Sequence, residues 1–208
     1  MLAIVKFWHP NQLATMTKLL AILACCYSSI GFSTTNNEFN NFFNSFESLS
    51  ANFKQHTLSE PGALIGTTYG SVLLKRPKQL LWHTKTPSEQ ILSLNNNELW
   101  IVDTELEQAS LQKIDNLNQT PLYYLINRPS DINTTPRFSH QQNKINWYKT
   151  NEANNLSFGF KDSSLYVISV DNELGQKILL SLSSVRLNPT IDSKEFTLKI
   201  NPEFDIIR

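Results

Sequence analysis

From about residue 52 onward the chain is two series of short apolar runs, and within each series the breaks are too brief to hold a crossover helix. The pattern is densest over residues 70–108. Residues 70–74, 79–83, 89–94 and 98–103 are rich in leucine, valine, isoleucine or tryptophan, and Pro77, Pro87 and Asn95-Asn96-Asn97 punctuate them. Runs of this length between proline and asparagine are strand signals, and strands joined by such short links pair antiparallel. One interruption, Lys75-Arg76-Pro77, stands out. Proline disfavours the helical region for the residue before it, so Arg76 is held on extended backbone and its side chain is aimed.

The same reading predicts strands at 52–58, 67–75, 79–84, 89–94, 98–103 and 108–114, and a second series at 144–149, 155–161, 164–170, 176–187 and 195–200. A sheet of so many antiparallel strands twists strongly and tends to curl toward a barrel, which gives it a concave face. Two helical pieces accompany it. Phe39, Phe42, Phe43, Phe46 and Leu49 recur at spacings of three and four, predicting a helix over 38–52 with an aromatic stripe. Thr120-Pro121 is a helix start, with threonine as N-cap and proline at the first helical position; Leu122, Leu125 and Ile126 then share a face, and Asn127-Arg128-Pro129 ends it. Both pieces are apolar enough to cover the same opening.

Ahead of the first helix, Lys18 precedes an apolar run over 19–30, followed by Gly31-Phe32-Ser33. This is the form of a secretory leader, and the run is short of the roughly 20 residues a spanning helix needs. The expected organisation is a leader over 1–33, with Met16 as an alternative start, and a single domain over 34–208. Ile22-Leu23-Ala24-Cys25 also has the form of a lipoprotein-processing site, and acylation at Cys25 is the second reading. With a cut after Ser33 both cysteines are lost, which leaves no disulfide, thiolate nucleophile or sulfur metal site. The formal net charge is zero, so no basic surface points to nucleic acid.

No catalytic constellation is apparent in the residues. His9, His56, His83 and His140 are scattered, none in the i, i+4 arrangement of a zinc protease helix, and no Gly-x-Ser-x-Gly elbow or phosphate-cradling glycine loop occurs. His83 beside Trp82 reads as a strand-surface residue, with a catalytic base as the alternative. No catalytic residue, metal or cofactor is expected.

Residues 70–82, with Leu74-Lys75-Arg76-Pro77 at the centre and Trp82 closing, resemble the LolA family of periplasmic lipoprotein carriers. The resemblance continues in order through Pro87 with Gln90-Ile91-Leu92, Leu99-Trp100 with Asp103, Leu106-Glu107-Gln108, Thr120-Pro121, Leu174-Gly175-Gln176 and Phe196-Thr197-Leu198. It implies an α+β fold, mainly β: an incomplete, strongly curled antiparallel barrel with a helical lid over an apolar cavity. It implies a monomeric periplasmic chaperone that accepts acylated lipoproteins from an inner-membrane ABC transporter and hands them to an outer-membrane receptor. Arg76 corresponds to the family arginine that latches the empty lid. Phe42, Phe46, Phe53, Leu80, Trp82, Ile91, Leu92, Trp100, Leu122 and Leu125 become candidates for the acyl-chain cavity, with ordinary core packing as the alternative for each. Two departures from the family pattern are the missing glycine in Asn201-Pro202-Glu203-Phe204 and the paired rings of Tyr123-Tyr124. Rival readings are the outer-membrane receptor of the same fold, lipidated at Cys25, an envelope-stress sensor that binds a regulator, and a secreted β-rich hydrolase.

Overall fold

The computed structural model describes residues 37–113, 121–151, 155–172 and 174–207. The leader reading, with Met16, Cys25 and the cut after Ser33, lies outside them, as does the Thr120 cap. Helix α1 (Glu38–Asn44) leads into strands β1 (Ser48–Leu58), β2 (Leu64–Lys75), β3 (Gln79–Thr86), β4 (Gln90–Asn95), β5 (Glu98–Asp103) and β6 (Gln108–Lys113). Helix α2 (Pro121–Ile126) and a 3-10 turn (Pro129–Asp131) follow, then β7 (Arg137–Gln142), β8 (Ile145–Lys149), β9 (Ser157–Lys161), β10 (Ser164–Asp171) and β11 (Lys177–Leu187). A second 3-10 turn (Ser193–Phe196) and β12 (Asp205–Ile207) are the last described elements.

The strands form one open sheet in the order β12-β6-β5-β4-β3-β2-β1-β11-β10-β9-β8-β7. All neighbours pair antiparallel except β12, which lies parallel to β6. Side chains of α1 and α2 share one buried cluster with residues of β1–β5 and of β8–β11. Both wings of the sheet therefore turn the same face inward, and the helices fill the space between them.

The predicted helix over 38–52 stops at Asn44. Asn37 caps it, its Oδ1 accepting from Asn40 N at 3.2 Å, and Glu38 in the first turn suits the positive end of the helix dipole. Beyond Phe46 the aromatic spacing of three continues to Leu49, but Leu49, Ala51 and Phe53 also alternate at the period of a strand. The strand wins because β1 is paired along its length with β2 and β11, and because serine and asparagine at 44, 45, 48, 50 and 52 are poor helix formers.

The strand predicted over 195–200 is absent. After β11 the chain instead crosses the outer face of the sheet. Ser48 Oγ donates to Pro189 O at 2.7 Å, Lys75 Nζ to Ile191 O at 3.1 Å and Ser93 Oγ to Phe196 O at 2.8 Å. Asp192 caps the 3-10 turn by accepting from Lys194 N, and Phe196 is buried. A chain running across the strands has no edge to pair with until it reaches β6. The turn that delivers it there needs no glycine, since Asn201 accepts from Glu203 N through its side chain and from Phe204 N through its carbonyl. Strands β7 and β12 carried no usable signal: β7 is exposed throughout and β12 has three residues.

Register lays the inner face out in rows. Leu49, Leu74, Leu80, Leu94 and Leu99 are successive partners across β1–β5, and all are buried. The next row is Ala51, Val72, Trp82, Leu92 and Ile101, and the third is Phe53, Gly70, Thr84, Gln90 and Asp103. The face thus grades from leucine at one end to polar groups at the other. Gly70 is what lets aromatic rings into the middle. A Cβ there would collide with the His83 carbonyl and stand 2.5 Å from Phe53 Cζ; without it, the Phe53 and Trp82 rings stack at 4.3 Å.

Gly70→Ala is therefore expected to destabilise the fold by about 1–3 kcal/mol, the usual cost of forcing extra volume into a packed site. The measurement is the urea midpoint, with the near-UV circular dichroism of the Phe53–Trp82 stack changing in parallel.

Candidate functional site

Each helix leaves its last carbonyls without an intrahelical partner. One side chain collects a carbonyl from the last turn of each helix and another from just past each end. Arg76, just past the end of β2, donates through Nη1 to Phe43 O at 2.6 Å and Phe46 O at 2.9 Å, and through Nη2 to Leu125 O at 3.3 Å and Asn127 O at 2.9 Å. Its backbone N–H donates to Glu47 O at 2.8 Å, and its peptide bond to Pro77 is cis. The guanidinium carbon lies 4.2 Å from the Phe46 ring centroid, a cation–π distance.

Arg76 is 9% exposed. Burial pulls its pKa down to about 10, with the field of Glu47 opposing the shift, so it stays a cation at neutral pH. No carboxylate bonds to it directly among the described residues. Hydrogen bonds to a charged donor contribute roughly 1.5–3 kcal/mol each, but the cost of taking the cation out of water offsets much of their sum. The asymmetry matters more than the net value, because removing the side chain leaves four carbonyls at a buried junction with no donor.

Helix α1 is a strap with both ends tied. At its start, Glu38 N donates to Tyr148 Oη at 3.1 Å and Asn146 Nδ2 donates to Glu38 Oε2 at 2.8 Å, fixing it to β8. At its end, Arg76 fixes it to β2. Between these points its rings fill the concave face: Phe39 packs edge-on to Phe158 at 5.2 Å, and Phe42 meets Phe46 at 5.5 Å. From α2, Tyr124 meets the same Phe158 at 5.3 Å. On the solvent side, Glu47 and Arg128 form an ion pair between the segments that follow the two helices. That contact holds the Glu47 carboxyl below its ordinary 4.5 and raises the Arg128 pKa.

The residues singled out from the sequence fall into three places. Phe42, Phe46 and Leu125 lie in the buried cluster under the helices, with Leu122 half-buried against it. Phe53, Leu80, Trp82 and Leu92 stand on the inner face of the sheet. Ile91 and Trp100 alternate with Leu92 and Ile101, so they stand on the outer face, where Trp100 pairs with Ser93. Leu74, Leu94, Ile101, Phe158 and Tyr124 join the inner surface although the sequence reading did not select them. Strand alternation from Leu92 points to Leu94, but Phe158 needs the far wing of the sheet to be folded over.

Towards the polar end of the inner face lies an open cleft of about 400 Å³, lined by Gln55, Thr68, Trp82, Thr84, Gln90, Leu92 and Ile101 among others, with Ile91 also contributing to its wall although its strand register turns it toward the outer face. Its size falls within the roughly 300–1,000 Å³ of ligand pockets. Its apolar floor continues into the leucine row that α1 and α2 cover. His83 lies on the opposite face, its Nε2 2.7 Å from Glu89 Oε1 in an exposed pair.

Comparison with known proteins supplies the context. The family model described as "Outer membrane lipoprotein carrier protein LolA" matches residues 44–199. A curated outer-membrane lipoprotein carrier protein of Pseudomonas aeruginosa is 31% identical over 173 residues, covering 79% of this chain and 83% of that protein. One of Francisella philomiragia is 27% identical over 201 residues, covering 92% and 98%. Among solved structures, an uncharacterized conserved protein from Thermus thermophilus shares the fold, with a TM-score of 0.53 at 7% identity, covering 85% of this chain and 99% of that one.

Arg76→Leu is expected to speed amide hydrogen exchange in α1 and α2 by at least about tenfold, corresponding to the loss of one charge-assisted bond or more. In the wild type, exchange of the same amides, corrected for intrinsic chemistry, should be flat between about pH 6 and 8. Arg76 does not titrate there. The Glu47 contribution, resting on a depressed carboxyl pKa, is complete above 4.5 and is lost only as the pH falls through the lower folded value.

Proposed function

On the premise that this chain belongs to the LolA family of outer membrane lipoprotein carrier proteins, we propose that it is a periplasmic chaperone that carries acylated lipoproteins, shielding their acyl chains on the concave face of its sheet. It works by binding and release, without a catalytic step. The observation that carries this reading is Arg76 holding carbonyls of both covering helices at once. A side chain in that position makes the lid one unit that is shut or free.

In the shut state the rings of α1 occupy the space that cargo needs. An acyl chain entering from the polar end meets Trp82, Leu92 and Ile101 first and reaches the leucine row only by lifting α1 and α2. Burying a chain releases roughly 0.8 kcal/mol per methylene, so a chain of ordinary length outweighs the net energy of the latch. When the chain leaves, the rings of α1 return and Arg76 recaptures its carbonyls. The closed empty form therefore competes with cargo and assists unloading.

The donor in this scheme is an inner-membrane lipoprotein-releasing ABC transporter. The acceptor is an outer-membrane receptor with a stronger apolar pocket. Phe42, Phe46, Phe53, Leu80, Trp82, Leu92, Leu122 and Leu125 are proposed to contact cargo, while Ile91 and Trp100 support the sheet from its outer side. No helix among the described residues is long and apolar enough to cross a membrane. The proposed periplasmic location rests on the leader-like sequence and on the family.

Arg76→Leu is expected to load lipoprotein and release it poorly, so that in a handover assay the cargo stays on the carrier instead of reaching receptor-bearing vesicles. Handover at the wild-type rate would overturn the latch. Intact mass of the chain recovered from the periplasm without detergent should correspond to a start near Thr34, with lipoprotein copurifying. A membrane-bound species acylated at Cys25 would move the protein to the receptor side of the pathway.

A further inference from the structure

Glu47 is held on three sides. Its carbonyl accepts from Arg76 N at 2.8 Å, its backbone N–H donates to Asn188 Oδ1 at 2.8 Å, and its carboxylate accepts from Arg128 just beyond α2. Asn188 also donates through Nδ2 to Ser45 O at 3.0 Å, so one amide side chain brackets the whole link between α1 and β1. Exposed ion pairs usually contribute little, partly because two long side chains must be immobilised to form them. Here one partner stands on backbone already fixed by the sheet. Two guanidiniums, those of Arg76 and Arg128, act on one lid junction, with Glu47 and Asp131 as the carboxylates in their field. Among the described residues, Glu47 is the carboxylate that bonds one of them directly.

We propose that Glu47 is a positioning residue forming the outer, salt-sensitive half of the lid latch: its carboxylate holds Arg128, and with it the end of α2, against the sheet. The inference rests on the reading of Arg76 as the inner half. The two halves differ in character. Arg76 is buried, so salt in solution screens its bonds weakly. The Glu47–Arg128 pair is in contact with solvent, with side chains 59% and 50% exposed, so salt reaches it. The lid of this chain accordingly loosens as ionic strength rises, while the buried contacts persist.

The test is hydrogen exchange of the α2 amides in the full chain between roughly 0.1 and 1 M sodium chloride, over which the screening length falls from about 10 to about 3 Å. Wild-type exchange should quicken about two- to fivefold over that range, the ratio expected for breaking one well-placed exposed pair. Glu47→Gln keeps both backbone bonds, so a merely structural role for this position predicts no change. The proposal predicts exchange already faster by that ratio at low salt and insensitive to further salt. Arg128→Gln should behave alike, and serves as the second route if Glu47→Gln does not fold. The charge-swapped pair Glu47→Arg with Arg128→Glu should restore both slow exchange and the salt response. A single variant with the wild-type salt response, or a swap no slower than the singles, overturns the inference. Arg76→Leu measured alongside separates the two readings. If it leaves exchange unchanged, the latch itself is wrong; if it alone quickens exchange, only the outer half is wrong.

Discussion

A sheet open at both edges cannot bury its inner face by itself, and the closure of this one depends on how two short helices end. Helices of seven and six residues are too short to be stable alone, and each leaves carbonyls that need donors. A single guanidinium, placed at the end of β2, answers for both. Because its hydrogen bonds go to backbone and none to a carboxylate, its hold depends mainly on where the helices lie, with the Phe46 ring adding a cation–π contact. A well-paired buried salt bridge would resist separation more strongly, and a neutral side chain could not serve so many carbonyls. The arrangement gives closure that is specific in geometry and moderate in strength.

The inner face is graded. The leucine row lies under the covered end, the mixed row of Ala51, Val72, Trp82, Leu92 and Ile101 is partly open, and Thr84, Gln90 and Asp103 mark the polar end. On the proposed reading, an apolar guest gains more the deeper it goes, until it meets the rings of α1. The same rings provide the core of the empty protein. In the proposed function, core and binding surface are one set of atoms in alternate use, which is why the choice between packing and cavity cannot be made residue by residue from the sequence. The outer face serves a different end, since the segment after β11 crosses it, covers Ser93 and neighbouring strands with Phe196, and ends beside β6.

Much of the sheet was legible. From β1 to β6 and from β8 to β11, apolar runs, proline and asparagine breaks placed the strands within a few residues, and the resemblance to carriers singled out Arg76 for the role proposed above. Strand β7 was not legible, because a polar edge strand exposed along its length has no apolar alternation to betray it. The false strand over 195–200 carried such alternation, yet its Phe196 serves the outer face of strands far away in the chain. Leu49 was assigned to the wrong element because its spacing satisfies both periods at once.

By itself the sequence determined the local periods: which segments extend, where they turn, and that an arginine stands on constrained backbone between β2 and β3. Those follow from forces acting over a few residues. Tertiary structure alone decided that Arg76 meets carbonyls 30 to 51 positions away, that Leu92 faces inward while Ile91 and Trp100 face outward, and that Glu47 receives Arg128. Each of these depends on register between strands and on which orphaned backbone groups come within reach of a donor once both wings of the sheet have closed round the helices.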